Sequence, residues 1–488
     1  MKNRLIKSTL QKYHSMSIPA KAAIWFVVCS VLQKGISVLS TPIFTRLLST
    51  AEYGQYNLFN SWMGIANIFV TLMLFGGVYT QGLVKFDKDR AIFTSALEGL
   101  TFTMFVFWVI VYLLFHDFWN KMMSLSTVQG LAMLLMIWTS SIFSFWAAEQ
   151  RAEYQYKKLV FLTLLVSVAK PVVGVIAVLT FDDKVTARIL GLVIVEFVAY
   201  IWLFISQMTK GKVFFSSKYW KYALCFNIPL VPHYLSQTVL NSSDRIMIGS
   251  MIGESEAGIY SLAYSLSSMM LLFNTAIIGA LSPWIYEKIK ERKIKEIENI
   301  AYISLIVIAS INLLLMLVAP EVVAIFAPGS YYDAIYIIPP VAMSVFFLFS
   351  YDLFAKFAFY YEKTFFVTVV SVIGAISNIV LNYIFISAFG YVAAGYTTLI
   401  CYMLYCLGHY LYMRKIVNDE CDGIQPFDLK IYITITICFL LSGFCILATY
   451  RFKYLRYILI VLICIGTIIC RKQIIRVLSR IRGLKNKN

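Results

Sequence analysis

Long apolar runs separated by short polar breaks fill the chain from residue 22 to residue 470. Only helices and closed barrels satisfy their backbone in hydrocarbon, and a helix needs about 20 apolar residues to cross it. None of these runs alternates with period two, so the pattern predicts helices. They fall at 22–45, 57–80, 91–115, 127–148, 159–181, 186–208, 222–247, 258–284, 299–319, 335–360, 364–388, 391–413, 430–449 and 455–470. The expected fold is all-α: a polytopic membrane protein of about fourteen transmembrane helices. The breaks are short, the longest lying near 285–298 and 414–429, and leave no room for a soluble catalytic domain.

A repeat sits inside this pattern. Glu52-Tyr53-Gly54-Gln55-Tyr56-Asn57-Leu58 follows the first run, and Glu256-Ala257-Gly258-Ile259-Tyr260-Ser261-Leu262 follows the seventh. Both read E-x-G-x-Y-x-L, and the runs on either side keep step at the same offset. Six helices per copy is an even number, so the two copies run parallel. The expected organisation is a cytoplasmic arm (1–21), a six-helix lobe (22–208), a cytoplasmic linker (209–221), a second six-helix lobe (222–413), and two last helices with a basic tail (414–488). A cleft between the lobes follows from that symmetry.

Composition fits the pattern. The chain is 60% hydrophobic and 14% charged, against about 25% charged in ordinary soluble domains. Net charge is +17, and most of the 42 Lys and Arg fall in breaks that alternate with the others, which by the positive-inside rule places both termini in the cytoplasm. Arg451, Lys453 and Arg456 go against this rule, falling in a break assigned to the outside. No basic stretch is interleaved with aromatics as a nucleic-acid channel would need. The nine cysteines lie mostly in apolar runs without metal-ligand spacing, so neither metal nor cofactor is expected.

Short motifs then give a resemblance. Gln33-Lys34-Gly35 leads to Thr41-Pro42-Ile43-Phe44-Thr45-Arg46-Leu47-Leu48 and Tyr53-Gly54-Gln55-Tyr56. Ile228-Pro229-Leu230-Val231-Pro232 precedes Ser243-Asp244-Arg245-Ile246-Met247-Ile248-Gly249 and Gly258-Ile259-Tyr260. Ala319-Pro320-Glu321, Tyr331-Tyr332-Asp333-Ala334 and Asn378-Ile379-Val380-Leu381-Asn382 follow. In order and spacing these segments resemble the Wzx-type polysaccharide flippases of the multidrug/oligosaccharidyl-lipid/polysaccharide exporter superfamily. The resemblance implies a multi-pass protein of the bacterial inner membrane, not an enzyme. Its expected work is to turn an undecaprenyl-pyrophosphate-linked oligosaccharide from inner to outer leaflet by alternating access. O-antigen units of lipopolysaccharide biosynthesis are the commonest cargo, and capsule units are next. A polysaccharide polymerase and a chain-length regulator are the implied protein partners.

Ionisable side chains inside spans cost at least about 2.5–3.5 kcal/mol at mid-membrane, so they face a cavity or a partner. Lys34, Lys170 and Arg188 in the first lobe are candidates for holding the pyrophosphate in the cleft; the structural alternative for Lys170 is a pair with Glu196 on the next helix. Glu196, Asp244, Arg245, Asp352 and Lys356 are candidates for gating or ion coupling. Asp352 and Lys356 have the i, i+4 spacing of a self-neutralising pair. Asn274, Asn378 and Asn382 are candidates for sugar contacts, with helix-to-helix hydrogen bonds as the alternative. Pro229 and Pro232 predict a kink in the seventh span.

Rival functions have less to rest on. The phosphate loop G-x-x-x-x-G-K-[ST] is absent, which excludes ATP hydrolysis by that route. Asp182-Asp183 and the acids between Asp419 and Asp422 lie in short breaks and read as solvated charge. A multidrug exporter of the same superfamily remains the nearer alternative, and a membrane-bound polymerase the more distant one.

Overall fold

The computed structural model describes residues 15–363 and 365–469. Helices cover the described parts of the fourteen expected runs, two of which are broken, and no strand occurs among the described residues. In chain order the first helices are α1 (Ile18–Leu47), α2 (Thr50–Thr71), α3 (Gly77–Lys85), α4 (Arg90–Leu114), α5 (His116–Met123), α6 (Thr127–Ala152), α7 (Tyr156–Thr180), α8 (Lys184–Gly211), α9 (Ser217–Asn227) and α10 (Val231–Met251). Then come α11 (Glu254–Ser268), α12 (Leu271–Lys290), α13 (Lys295–Leu317), α14 (Ala319–Phe326), α15 (Ala334–Tyr360), α16 (Phe365–Phe389), α17 (Ala393–Glu420), α18 (Leu429–Ala448) and α19 (Lys453–Ile469).

Among the described residues, ten helical stretches are long and apolar enough to cross a membrane. The expected second span is interrupted between α2 and α3, and the seventh between α9 and α10, so neither is a single long helix. The break after α2 places Leu72 and Met73 in the left-handed region, at φ 49° and 52°. Two non-glycine residues there cost about 1–3 kcal/mol each. Hydrogen bonds hold the break: Asn227 Nδ2 donates to Leu72 O at 2.7 Å, and Met73 N donates to Thr71 Oγ1 at 3.1 Å. The seventh span breaks where proline predicted, in a 3₁₀ turn at Ile228–Leu230.

Helix starts are capped by the residues that the breaks carry. Ser49 and Glu52 form a reciprocal capping box on α2, and Ser126 and Gln129 form another on α6. Glu52 of the E-x-G-x-Y-x-L motif is thus a capping residue. In the second copy Glu256 lies in the first turn of α11, where a carboxylate meets the positive end of the helix dipole.

The chain divides into two compact units, one ending at Leu235 and one beginning at Ser236, inside α10. This boundary falls later than the expected linker at 209–221. The reason is α9, which packs back on the first unit: Trp220 Nε1 donates to Ala96 O at 2.7 Å, and Tyr219 OH to Asp89 at 3.3 Å. The core of the first unit is aromatic, with Tyr79, Phe93 and Phe145 fully buried and stacked edge to face or in parallel. Gly211 permits the close packing of α8 on α4, since a Cβ there would lie 2.1 Å from Ala91 O. In the second unit α15 is the buried centre, packed against α11, α13 and α17.

Arg456, the cation on the unexpected side, is 3% exposed and ion-paired with Glu321 of α14. Tyr457 OH donates to the same carboxylate at 3.0 Å. The charge of Arg456 is thereby neutralised within the protein.

Candidate functional site

The first unit carries three cations inside its spans, and the structure gives them three different surroundings. Lys34 is exposed on α1, with no carboxylate partner among the described residues. It lies on a polar stripe of that helix together with Ser30, Gln33, Ser37 and Thr41, all spaced to share one side. Lys170 on α7 is ion-paired with Glu196 of α8. Glu196 is 2% exposed and also accepts from Ser140 Oγ at 2.9 Å and Thr139 Oγ1 at 3.1 Å, so its charge ties α6, α7 and α8 together. Arg188 is buried, its guanidinium 3.6 Å from the Phe44 ring centre and 3.5 Å from that of Tyr56. Lys170 is therefore committed to Glu196 and Arg188 to two rings, which leaves Lys34 as the exposed cation of the three.

Sequence reasoning counted Lys85, Lys218 and Lys221 only as loop charge. In the structure Lys85 Nζ of α3 lies 4.6 Å from the Tyr222 ring of α9, Lys218 Nζ lies 5.0 Å from the Tyr219 ring, and Lys218 and Lys221 line a recess with Tyr222 and Phe226. A second recess, of about 670 Å³, is lined by Thr80, Gln81, Val84, Lys85, Tyr222 and Phe226. None of the three lysines has a carboxylate within ion-pair distance among the described residues. Cations beside aromatic faces can hold an anionic group and a sugar ring at once. The break that positions α3 carries a signal in Gly76 and Gly77 that the sequence analysis did not use, although its left-handed residues are Leu72 and Met73 rather than glycine.

In the second unit Asp244 is the hub of a buried network. Its Oδ2 accepts from Tyr260 OH at 2.6 Å and from Thr398 Oγ1 at 2.7 Å, and its Oδ1 accepts from Asn382 Nδ2 at 2.6 Å. Ser243 Oγ donates to Asn378 Oδ1 at 2.6 Å, and Thr397 donates to Asn382. Four helices, α10, α11, α16 and α17, meet in these bonds. Asn378 and Asn382, expected as sugar contacts, are fully buried here and turned toward Asp244. Asn274 is likewise buried, donating to Val345 O at 2.9 Å across α12 and α15.

Arg245 points away from that hub, as neighbours on a helix must. Its guanidinium donates to Asn241 O and lies 4.6 Å from the Tyr264 ring. Gln237, Asn241 and Arg245 form a polar stripe on α10, and Tyr264 OH donates to Asn241 Oδ1 at 3.1 Å. Asp352 and Lys356 do not close into the expected pair: Lys356 Nζ sits 6.0 Å from the Phe359 ring instead, although its charge still acts on Asp352. Among the described residues no group of three His, Cys, Asp or Glu side chains could hold a metal ion.

One buried acid escaped sequence reasoning. Glu98 on α4 is fully buried, and neither carboxyl oxygen has a hydrogen-bond partner among the described residues. Its signal was present in the sequence as the one acidic residue in the run 91–115.

A family model described as "Polysaccharide biosynthesis protein" matches residues 20–289, and a second, MatE, matches residues 229–384. A Haemophilus influenzae protein described as Lsg locus putative protein 1 is 23% identical over 374 residues, covering 73% of this chain and 88% of that one. Among solved structures, lipid II flippase MurJ in an inward closed conformation superposes with a TM-score of 0.68 at 16% identity, covering 92% of this chain and 100% of that chain. An inward-facing multidrug resistance MATE family transporter gives 0.65 at 14% identity, covering 80% and 96%. The chain belongs to the polysaccharide biosynthesis protein family and is a multi-pass membrane protein with the fold of the multidrug/oligosaccharidyl-lipid/polysaccharide exporter superfamily.

Proposed function

We propose that this protein is a Wzx-type flippase of the bacterial inner membrane, carrying an undecaprenyl-pyrophosphate-linked oligosaccharide from the cytoplasmic to the outer leaflet by alternating access. One observation carries the reading: Lys34, a cation without a carboxylate partner, lies on the polar stripe of the otherwise apolar helix α1. An unpaired lysine against acyl chains would be costly, and the serines and glutamine beside it mark a wet surface. A pyrophosphate carries at least two negative charges, and an unpaired lysine is a point charge suited to it.

Two further observations support the same cargo. At the 204-residue offset of the repeat, Gln33, Ser37 and Thr41 correspond to Gln237, Asn241 and Arg245, so each unit carries a polar stripe on its equivalent helix. We assign the stripe of α1, with Lys34, to the headgroup of the cargo. Two recesses that share Tyr222 and Phe226, one lined by Lys85 and the other by Lys218 and Lys221, add basic aromatic surfaces suited to a phosphate-bearing sugar. The family's description by polysaccharide biosynthesis accords with a glycan cargo. We assign the Asp244 network to gating, since any rearrangement of α10 against α11, α16 or α17 must break it. A polymerase and a chain-length regulator are the proposed protein partners.

The test is a deletion strain. Lipid-linked repeat units should accumulate in the inner leaflet and disappear on complementation with this gene. Unchanged surface glycan in the deletion, together with increased sensitivity to cationic drugs, would instead assign the protein to multidrug export.

A further inference from the structure

Three helices of the first unit bring polar side chains to the end of the bundle where α4 begins and α6 and α8 finish. Glu98 of α4 is fully buried, with both oxygens unpartnered. Gln207 of α8 is 3% exposed, and its amide lies within hydrogen-bonding reach of the Glu149 carboxyl. Glu149 of α6 is half-buried, with Oε2 unpartnered; it lies within electrostatic reach of Glu98 and beside Gln207. The Tyr79 and Thr94 hydroxyls, bonded to each other at 2.8 Å, complete the polar surroundings. Farther out, Arg90, Lys210 and Glu153 face Glu149.

An ionised carboxylate enclosed in protein needs donors or a cation, and without them its burial costs several kcal/mol. Glu98 has neither among the described residues, and the nearest charge it senses is another acid. Protonation removes the difficulty: a neutral carboxyl costs far less to bury, and the charge of Glu149 no longer opposes it. The half-buried Glu149, flanked by the cations Arg90 and Lys210, is the natural link to water.

We propose that Glu98 is a proton-binding site of the transport cycle, loaded in the present conformation and exchanging its proton with the aqueous side through Glu149. In the loading step an O–H bond on protonated Glu149 breaks, the proton passes to the Glu98 carboxylate, and a new O–H bond forms there. Glu149 is left ionised beside Lys210 and Arg90 and takes its next proton from water. The inference rests on the transporter reading for its place in a cycle, but the bound proton does not.

The experiment uses the full chain in lipid nanodiscs and reads the infrared carbonyl band of protonated carboxylic acids, which ionised carboxylates lack. At neutral pH the wild type should show this band and Glu98→Gln should lose one carboxyl's share of it. Glu149→Gln should keep the band but slow its shift on transfer to heavy water. A Glu98→Gln spectrum without that loss overturns the proposal; should this variant fail to fold, unslowed exchange in Glu149→Gln overturns the relay instead. In proteoliposomes, flipping by the wild type should respond to an imposed pH gradient and flipping by Glu98→Gln should not. Lys34→Ala should retain the band while losing flipping, so failure of the flippase reading and failure of the proton site give different results.

Discussion

Tyr260 donates its hydroxyl to the Asp244 carboxylate at 2.6 Å, both side chains being buried in the second unit. Its counterpart in the first copy of the motif, Tyr56, lies against the guanidinium of Arg188. The same motif position thus serves an anion through its hydroxyl in one unit and a cation through its ring face in the other. Asp244→Asn would replace an acceptor of three hydrogen bonds by a group that is itself a donor on one side. Leaving buried donors unsatisfied costs about 1–3 kcal/mol. A lower thermal unfolding midpoint is expected for Asp244→Asn, with a smaller drop for Tyr260→Phe, which removes a single donor. Equal midpoints for Asp244→Asn and the wild type in detergent would show that the network does not hold the four helices.

Arg188 joins α8 to two segments that the sequence singled out separately, Phe44 of the Thr41–Leu48 stretch and Tyr56 of the repeat. Stacking of a planar guanidinium between two rings is a geometry that a lysine ammonium does not reproduce. Arg188→Lys keeps the charge and should still lower the unfolding midpoint, by an amount corresponding to about 1–2 kcal/mol for a desolvated cation–π site. Phe44→Leu should show a similar loss. If Arg188→Lys were as stable as the wild type while export failed, the arginine would be serving the cargo rather than the rings.

These contacts show what could be seen in the sequence and what could not. The helices were legible because the lipid requirement for long apolar runs is nearly independent of tertiary packing. The repeat was legible because Glu52 and Glu256, Gly54 and Gly258, and Tyr56 and Tyr260 stand at fixed spacing. Partner choice was not: whether Asn382 faces sugar or Asp244 depends on helix rotation, which a composition of Phe, Ile and Leu on every side does not encode, and whether Lys356 reaches Asp352 on the same helix depends on the rotamer its surroundings favour. The interruption after Thr71 was missed because its left-handed residues, Leu72 and Met73, adopt a backbone conformation that such residues rarely take. Glu98 was visible as a charge in an apolar run, but only burial and missing partners distinguish it from a carboxylate facing water.

Glu196 holds the buried side of an ion pair whose partner, Lys170, is 28% exposed at its side chain. Removing one member of such a pair strands the other, at about 3–5 kcal/mol when both are deeply buried, and less where water reaches one of them. Glu196→Gln should therefore be destabilised toward the low end of that range. The double variant Glu196→Leu with Lys170→Met should recover most of the loss, because no charge is then left alone. Thermal unfolding of the three proteins in one detergent provides the comparison. A double variant weaker than the single one would mean that Ser140 and Thr139, rather than Lys170, are the partners that matter to Glu196.

The pair of Arg456 with Glu321 makes a topological prediction. Arg456→Gln leaves Glu321 partly buried with only Tyr457 to donate to it, so the docking of α19 should loosen. Protease sensitivity of the last hairpin should rise in Arg456→Gln and fall back in Arg456→Gln with Glu321→Gln. If the single variant were as resistant as the wild type, the position of Arg456 would need another account than its neutralisation.

Lys34 decides between a stripe that binds cargo and one that merely faces water. Lys34→Ala removes the charge without burying or exposing new backbone, and the site is exposed on α1, so protein level and unfolding midpoint should stay near those of the wild type. Surface glycan should be lost, with lipid-linked repeat units accumulating inside. Lys34→Arg should restore part of the export, since a delocalised cation also pairs with phosphate oxygens. Lys34→Glu should be the least active of the three, because it sets like charge against the pyrophosphate. Normal export by Lys34→Ala at wild-type protein level would end the assignment of this stripe to the anionic headgroup, and the two basic recesses at Tyr222 would then be the surfaces to mutate next.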